Sequence, residues 1–198
     1  MSEHATTKDR KTALLDSAEQ LARERGFDAF SYADLAADVG IRTASIHYHF
    51  PSKADLSVAM MRRYHERFEQ ICAEIDAQNA TGGARLAALI NCYRLAHKDA
   101  TQVCLCVTFS ISKESLSNDV VSQMVAFRAM MRNWIASVFS AGKEDETIAD
   151  VRDEADEAAA TLCLLEGAQL SARAQNDPLA FDQAVEIVRE RTVARFQL

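Results

Sequence analysis

The stretch SYADLAADVGIRTASIHYHFPSKADL, from Ser31 to Leu56, limits the possible folds more than any other part of this sequence, because its stop and start signals leave little room between them. Ser31 with Asp34 reads as a capping box: the hydroxyl accepts from an orphan N–H and the carboxylate reaches back, so a helix starts at Tyr32. Leu35, Ala36 and Val39 share one face of that helix. Gly40 can take the left-handed conformation that ends it. A second short helix is expected from about Thr43 to His49, with Ile46 and Phe50 as its buried face. Arg42, Thr43, Ser45, His47, Tyr48 and His49 then point outward. Pro51 stops this helix, and Ser52 with Asp55 forms a second capping box for the helix that follows.

Short polar and aromatic side chains on an exposed helix suit a DNA groove. Two helices around a glycine turn occur in many bundles, so the order of residues carries more weight than the shape. That order, L-A-x-x-x-G-I followed by S-I-x-Y-x-F-P-S-K-x-x-L, resembles the N-terminal DNA-binding domain of the TetR family of bacterial transcriptional regulators over about Lys11 to Leu56. The resemblance implies Thr43 and Tyr48 on base edges or in the groove, with His47 and Lys53 on phosphates. Arg42 stands where the family often has a Ser or Thr cap, and His47 where it often has Tyr, which bears on sequence preference rather than fold.

Two prolines and six glycines in 198 residues, with 48% apolar content, favour an all-α chain. No strand-like alternation competes. The expected architecture is about nine helices: a three-helix helix-turn-helix DNA-binding domain over 1–56 and a helical ligand-binding and dimerisation domain over 57–198. No apolar run approaches a membrane span. The polar start MSEHATTKDRK has no apolar core of a signal peptide, so a cytoplasmic protein with five free thiols is expected. The formal charge of −7 looks wrong for a DNA binder, but residues 1–63 carry nine Lys/Arg and nine Asp/Glu, so the whole excess lies in the remainder. DNA affinity then rests on the local cluster Lys8, Arg10, Lys11, Arg42 and Lys53.

In chain order, a short disordered arm precedes a first helix from about Lys8 to Arg25, capped near Thr6 or Thr7 and stopped by Gly26, with Leu14, Ala18 and Leu21 inward. Phe27 and Phe30 pack under the helix-turn-helix. A long helix from Lys53 to about Ala77 has no breaker and is stiff enough to transmit movement. Thr81-Gly82-Gly83 is a turn. Further helices are expected at about Ala84–His97, Val103–Ser112 and Asn118–Phe139, then, after a loop at Ala141–Glu144, at Thr147–Ala174 and Leu179–Phe196. The acidic run from Glu144 to Glu157 reads as a solvated helix face. Ala155, Ala158, Ala159, Leu162, Leu165 and Leu170, with Phe181, Val185, Val188 and Thr192, form stripes on the last two helices. The resemblance implies a homodimer through these helices, matching a two-fold operator; the alternative is that the stripes serve only their own domain.

Tyr64, Phe68, Tyr93, His97, Cys104, Phe109, Phe127, Met131 and Trp134, with the remaining Cys and Met residues of this region, supply aromatic and polarizable surface with a few polar handles. Each alone reads as core. The set and the resemblance together point to a small organic effector that releases a repressor from double-stranded operator DNA. No cofactor or metal site is expected: Cys104 and Cys106 are two apart on a helix and point about 200° apart. Ser110-Ile111-Ser112-Lys113 matches S-x-x-K without its partner elements. An all-helical enzyme with Cys104 or Ser110 as nucleophile is the competing reading, and a helix-turn-helix module without effector is a third. The VCLCV element further resembles a subgroup of the family that responds to electrophiles, which implies Cys104, or Cys106, as a sensor thiol. Such a thiol needs partial exposure and a cation or helix N-terminus nearby, whereas Leu105, Val107 and Phe109 speak for core.

Overall fold

The computed structural model describes residues 7–192. The expected arm before residue 7, a cap at Thr6, and the end of the last helix at Phe196 lie outside the described residues, as does the side chain of Lys8. Within them the chain is all-α, with nine helices: α1 Thr7–Arg25, α2 Tyr32–Val39, α3 Thr43–His49, α4 Lys53–Gln78, α5 Gly82–Ala96, α6 Leu105–Ile111, α7 Asn118–Glu144, α8 Glu154–Gln175 and α9 Leu179–Arg189. Short 3-10 turns occupy Phe27–Ala29 and Lys113–Ser115. Among the described residues, no helix is long and apolar enough to cross a membrane.

The chain forms two compact units, one containing residues up to His65 with Leu105–Met124, the other Glu66–Cys104 with Val125 onward. In the first, the local signals act as the spacing predicts. Ser31 N–H donates to Asp34 Oδ2 at 2.7 Å while Asp34 N–H donates to Ser31 Oγ at 3.3 Å. Gly40 ends α2 at φ 74°. The second box repeats the arrangement, with Ser52 N–H on Asp55 Oδ2 at 3.0 Å and Asp55 N–H on Ser52 Oγ at 3.2 Å. Leu14, Ala18, Leu35, Ile46 and Leu56 are fully buried, and burial of each Leu or Ile stabilises the unit by about 1.5–3 kcal/mol. The Phe109 ring of α6 meets that of Phe27 edge-on at 4.9 Å, so a helix from far along the chain completes this core. Arg63 of α4 holds Asp16 of α1 at 2.7 Å and Glu19 at 3.3 Å.

In the second unit, several element ends differ from the sequence expectation, each for a reason of packing. Helix α7 continues through Gly142, which was expected in a loop, because the glycine is where α7 and the start of α5 come closest. A Cβ on Gly82 would sit 2.7 Å from the carbonyl oxygen of Val138 and nearer still to the backbone of Gly142. Helix α8 begins at Glu154, capped by Asp153, whose Oδ1 accepts from the N–H groups of Ala155 and Asp156. Thr147, the expected start, serves another helix instead. Asp145 Oδ2 and Thr147 Oγ1 accept from Gly82 N–H and Gly83 N–H, both at 2.8 Å, and so cap α5. The early part of the acidic run is thus a folded loop rather than a helix face. Helix α9 stops at Arg189 because Thr192 turns back to bridge Ile148, and the Arg191 guanidinium grips Glu157 at 2.7 and 2.8 Å.

The apolar stripes of α8 and α9 divide into two sets. Ala158, Leu162, Leu165, Phe181, Val185 and Val188 are buried in their own unit. A different row on α8 remains exposed: Ala160, Cys163, Gly167, Leu170 and Ala174, at the three- and four-residue spacing of one helix face. Leu179 and Ile187 of α9 are 60% and 69% exposed.

Candidate functional site

The polar face expected of α3 exists. Ile46 and Phe50 anchor the helix in the core, so Arg42, Thr43, Ala44, His47 and Tyr48 are exposed, with Ser45 and His49 half-buried. Tyr48 is 78% exposed, and its ring meets that of His49 edge-on at 5.2 Å. A large aromatic ring left in water beside Arg42 is available to stack on or reach a base. Arg10 of α1 closes one side of a recess of about 400 Å³ with Arg42, Ser45, Tyr48 and His49. His47 is held by its own backbone: Nδ1 donates to the Pro51 carbonyl at 3.2 Å, and Tyr32 packs against the ring edge at 4.9 Å. Its Nε2 is therefore the outward atom. The Tyr32 hydroxyl donates to the Phe50 carbonyl at 2.9 Å, and burial, reinforced by the charge of Asp55, pushes its pKa up to about 12.

Lys53 is placed differently from the phosphate contact that the resemblance implies. Its ammonium donates to the carbonyls of Phe27 and Phe30, both at 2.6 Å, and lies 4.6 and 4.5 Å from the centres of their rings. Partial burial lowers its pKa, against the raising effect of Asp28 and Asp34. The ammonium turns inward because the 3-10 turn leaves these carbonyls without helical partners. Lys11 also lies against an aromatic, 5.7 Å from the Phe50 ring centre.

The expected effector residues are shared between the units. Tyr64 and Phe109 are buried in the first. In the second, Phe68 meets Tyr93 at 6.1 Å and Phe127 at 5.4 Å, and Met131 is fully buried. Trp134 is half-buried with its indole N–H donating to Asp76 at 2.9 Å. His97 is 2% exposed. Two buried polar residues absent from the expected set belong to this interior, Gln169 and Glu166, with the half-buried Arg128 beside Glu166. Arg128 donates to Glu166 at 2.9 Å, and burial raises the Glu166 pKa while Arg128 opposes the rise. The signal in the sequence was the placement of Glu166 and Gln169 three apart among the apolar residues of LCLLEGAQL.

Cys104 and Cys106 are both buried and part company. The Cys104 thiol is hydrogen-bonded to the Glu166 carboxylate, while Cys106 Sγ lies 3.9 Å from Met61 Sδ. Both sulfurs are buried, out of reach of a reagent in solvent. Ser110 Oγ donates to the Cys106 carbonyl at 2.7 Å, an ordinary back-bond within a helix. Burial, with help from Asp76, pushes the Cys72 thiol up to about 12. Alkylation of Cys104 and Cys106 by iodoacetamide is accordingly expected to follow the rate of global unfolding. Mass-resolved labelling of the native protein checks this, and fast modification of Cys104 would instead support a sensor thiol. Among the described residues, no group of three His, Cys, Asp or Glu is placed to hold a metal ion.

Comparison with known proteins agrees with this geometry. A family model described as "Bacterial regulatory proteins, tetR family" matches residues 14–60, which span the helix-turn-helix. The HTH-type transcriptional repressor ComR of Escherichia coli K12 is 25% identical over 169 residues, covering 82% of this chain and 79% of that protein. The HTH-type transcriptional repressor NemR of the same organism is 25% identical over 177 residues, covering 87% and 88%. A crystal structure of a TetR-family transcriptional regulator from Agrobacterium tumefaciens superposes with a TM-score of 0.89 at 29% identity, over 96% of this chain and all of that one.

Proposed function

The chain belongs to the TetR family of DNA-binding bacterial transcriptional regulators, and on that premise we propose that it is a homodimeric repressor that leaves a palindromic operator when a small organic molecule enters its second unit. The observation that carries the reading is the outward face of α3: a helix locked in place by Ile46 and by two capping boxes, presenting Arg42, Thr43 and the 78% exposed Tyr48. Thr43 and Tyr48 face base edges, while Arg42 and Arg10 approach phosphates. Double-stranded DNA suits this set because charge and groove-reading side chains lie on one short helix.

Two such helices must enter successive major grooves about 34–36 Å apart, which a two-fold dimer achieves. The exposed row Ala160, Cys163, Gly167, Leu170 and Ala174, with Leu179 and Ile187, is the surface proposed for that contact. Gly167 leaves open space where a Cβ would stand, so a partner helix can come close. The effector is proposed to bind among Phe68, Tyr93, His97, Phe127 and Met131, where aromatic and sulfur groups surround a few polar atoms.

The test is an electrophoretic shift on the DNA flanking the protein's own gene, followed by affinity against salt. Arg42→Ala is expected to weaken binding to all sequences and to reduce the salt slope by about 1, whereas Tyr48→Ala costs about 1–3 kcal/mol on the operator and relaxes discrimination. Binding of an effector should weaken operator binding by about 5–150-fold, and operator should weaken effector binding by the same factor. Absence of any shift sinks the repressor reading. Equal effector affinity with and without operator removes the coupling alone.

A further inference from the structure

Among the buried polar atoms of the second unit, His97 Nε2 and Gln169 Oε1 have no hydrogen-bond partner. Their residues are only 2% and 1% exposed. Leaving such an atom unpaired costs about 1–3 kcal/mol, so a pair of them near one helix end calls for an explanation.

The rest of each side chain fixes what the unpaired atom offers. Ala100 N–H donates to His97 Nδ1 at 2.8 Å, so Nδ1 carries no hydrogen and the neutral ring bears its proton on Nε2. Burial lowers the His97 pKa, with Arg94 adding to the effect, which keeps the ring neutral. Gln169 Nε2 donates to the Tyr93 carbonyl at 2.9 Å, which leaves Oε1 as a free acceptor. Tyr93, whose carbonyl holds the Gln169 amide, and His97 are one turn apart at the end of α5, about 6 Å along the axis, so the two unpaired atoms belong to neighbouring turns. The neighbours are apolar: the Phe181 ring lies 5.1 Å from that of His97, and Phe68 lies 6.1 Å from Tyr93.

We propose that His97 and Gln169 form a polar anchor for a neutral, ring-sized ligand bearing a hydroxyl or primary carboxamide, which accepts from His97 Nε2–H and donates to Gln169 Oε1. This deepens, and rests on, the effector reading given above. Charge selects the class. A carboxylate or phosphate satisfies His97 but sets its negative charge against Gln169 Oε1, and an ammonium does the reverse; a group that both accepts and donates satisfies both. His97 also governs the turn that follows. Lys98, Asp99 and Ala100 have φ of 43°, 53° and 66°, a left-handed run without glycine. Each such residue costs about 1–2 kcal/mol. Ala100 N–H on His97 Nδ1 and Gln102 N–H on the His97 carbonyl at 3.0 Å hold the run in place. When Nε2–H donates to a ligand, the ring becomes a better acceptor at Nδ1, so occupancy tightens this turn.

The probe is phenol, with toluene as the same shape lacking the hydroxyl, added to the full-length protein and followed by histidine ¹⁵N spectra and the unfolding midpoint. Phenol is expected to move the His97 Nε2 resonance and raise the midpoint, while toluene does neither. Gln169→Leu should weaken phenol binding about tenfold, with the His97 Nδ1 signal unchanged because the turn is intact. An unmoved Nε2 resonance overturns the anchor, whether a resident water or nothing fills the place, and so does equal stabilisation by toluene. Operator affinity measured alongside separates the two readings. If a family of small molecules releases operator DNA while His97 stays unmoved, the anchor falls and the effector reading stands. Phenol bound at His97, with no small molecule of any class able to release operator, keeps the anchor and removes the effector reading.

Discussion

Gly82→Ala is expected to destabilise the second unit by about 3 kcal/mol or more, because the added methyl meets backbone that cannot rotate away. Its Cβ would lie 2.7 Å from the Val138 carbonyl oxygen and closer to the nitrogen and Cα of Gly142. The same crossing carries the cap of α5, in which Asp145 accepts from Gly82 N–H and Thr147 accepts from Gly83 N–H. Pushing α5 and α7 apart therefore breaks hydrogen bonds as well as packing. Gly167 supplies the control, since a Cβ there meets nothing within 4 Å. Gly167→Ala should leave the unit unharmed or stabilise α8 by up to about 1 kcal/mol through helix propensity. Urea midpoints of the two variants, measured at one protein concentration, decide the matter. If they are equal, the close crossing does not govern stability. If Gly167→Ala lowers the dimer fraction without lowering the stability of the unit, the exposed face of α8 is the contact between subunits.

The second large effect concerns Lys53. Lys53→Met keeps the aliphatic stem against Phe27 and Phe30 but removes the ammonium from two carbonyls at 2.6 Å. Two charge-assisted hydrogen bonds, discounted for partial exposure, correspond to a loss of about 2–3 kcal/mol from the first unit. Operator affinity should then fall because less protein is folded, and it should recover on cooling towards the temperature of greatest stability, with the salt slope unchanged. A slope reduced by about 1 with an unaltered unfolding midpoint would falsify this assignment and return Lys53 to the phosphates.

The two substitutions mark the boundary between local and long-range information. Ser31 with Asp34, Gly40, Pro51 and Ser52 with Asp55 act within four residues of themselves, so α2, α3 and the start of α4 were legible in the sequence. The outward face of α3 followed from the burial of Ile46 and Phe50 at helical spacing. A serine, a glycine or a proline has the same backbone preference wherever the chain later goes. The interior of the second unit was legible only as a composition, rich in aromatic and sulfur side chains around Tyr93 and His97.

What the sequence could not determine depends on partners distant in the chain. Lys53 looks like a phosphate ligand until the carbonyls of Phe27 and Phe30, more than twenty residues away, claim its ammonium. Gly142 looks like a helix stop until the approach of Gly82 makes it a contact point within α7. Cys104 looks like a thiol at a helix start until Glu166 proves to be its neighbour. The apolar residues of α8 run nearly all the way round it, so periodicity could not say that Leu162 and Leu165 face inward while Cys163, Gly167 and Leu170 face out. Local rules decide how the backbone turns. Which of several equivalent faces is covered, and which charge meets which partner, is decided by packing, because close-packed contacts and hydrogen bonds act over a few ångströms in space and are indifferent to separation along the chain.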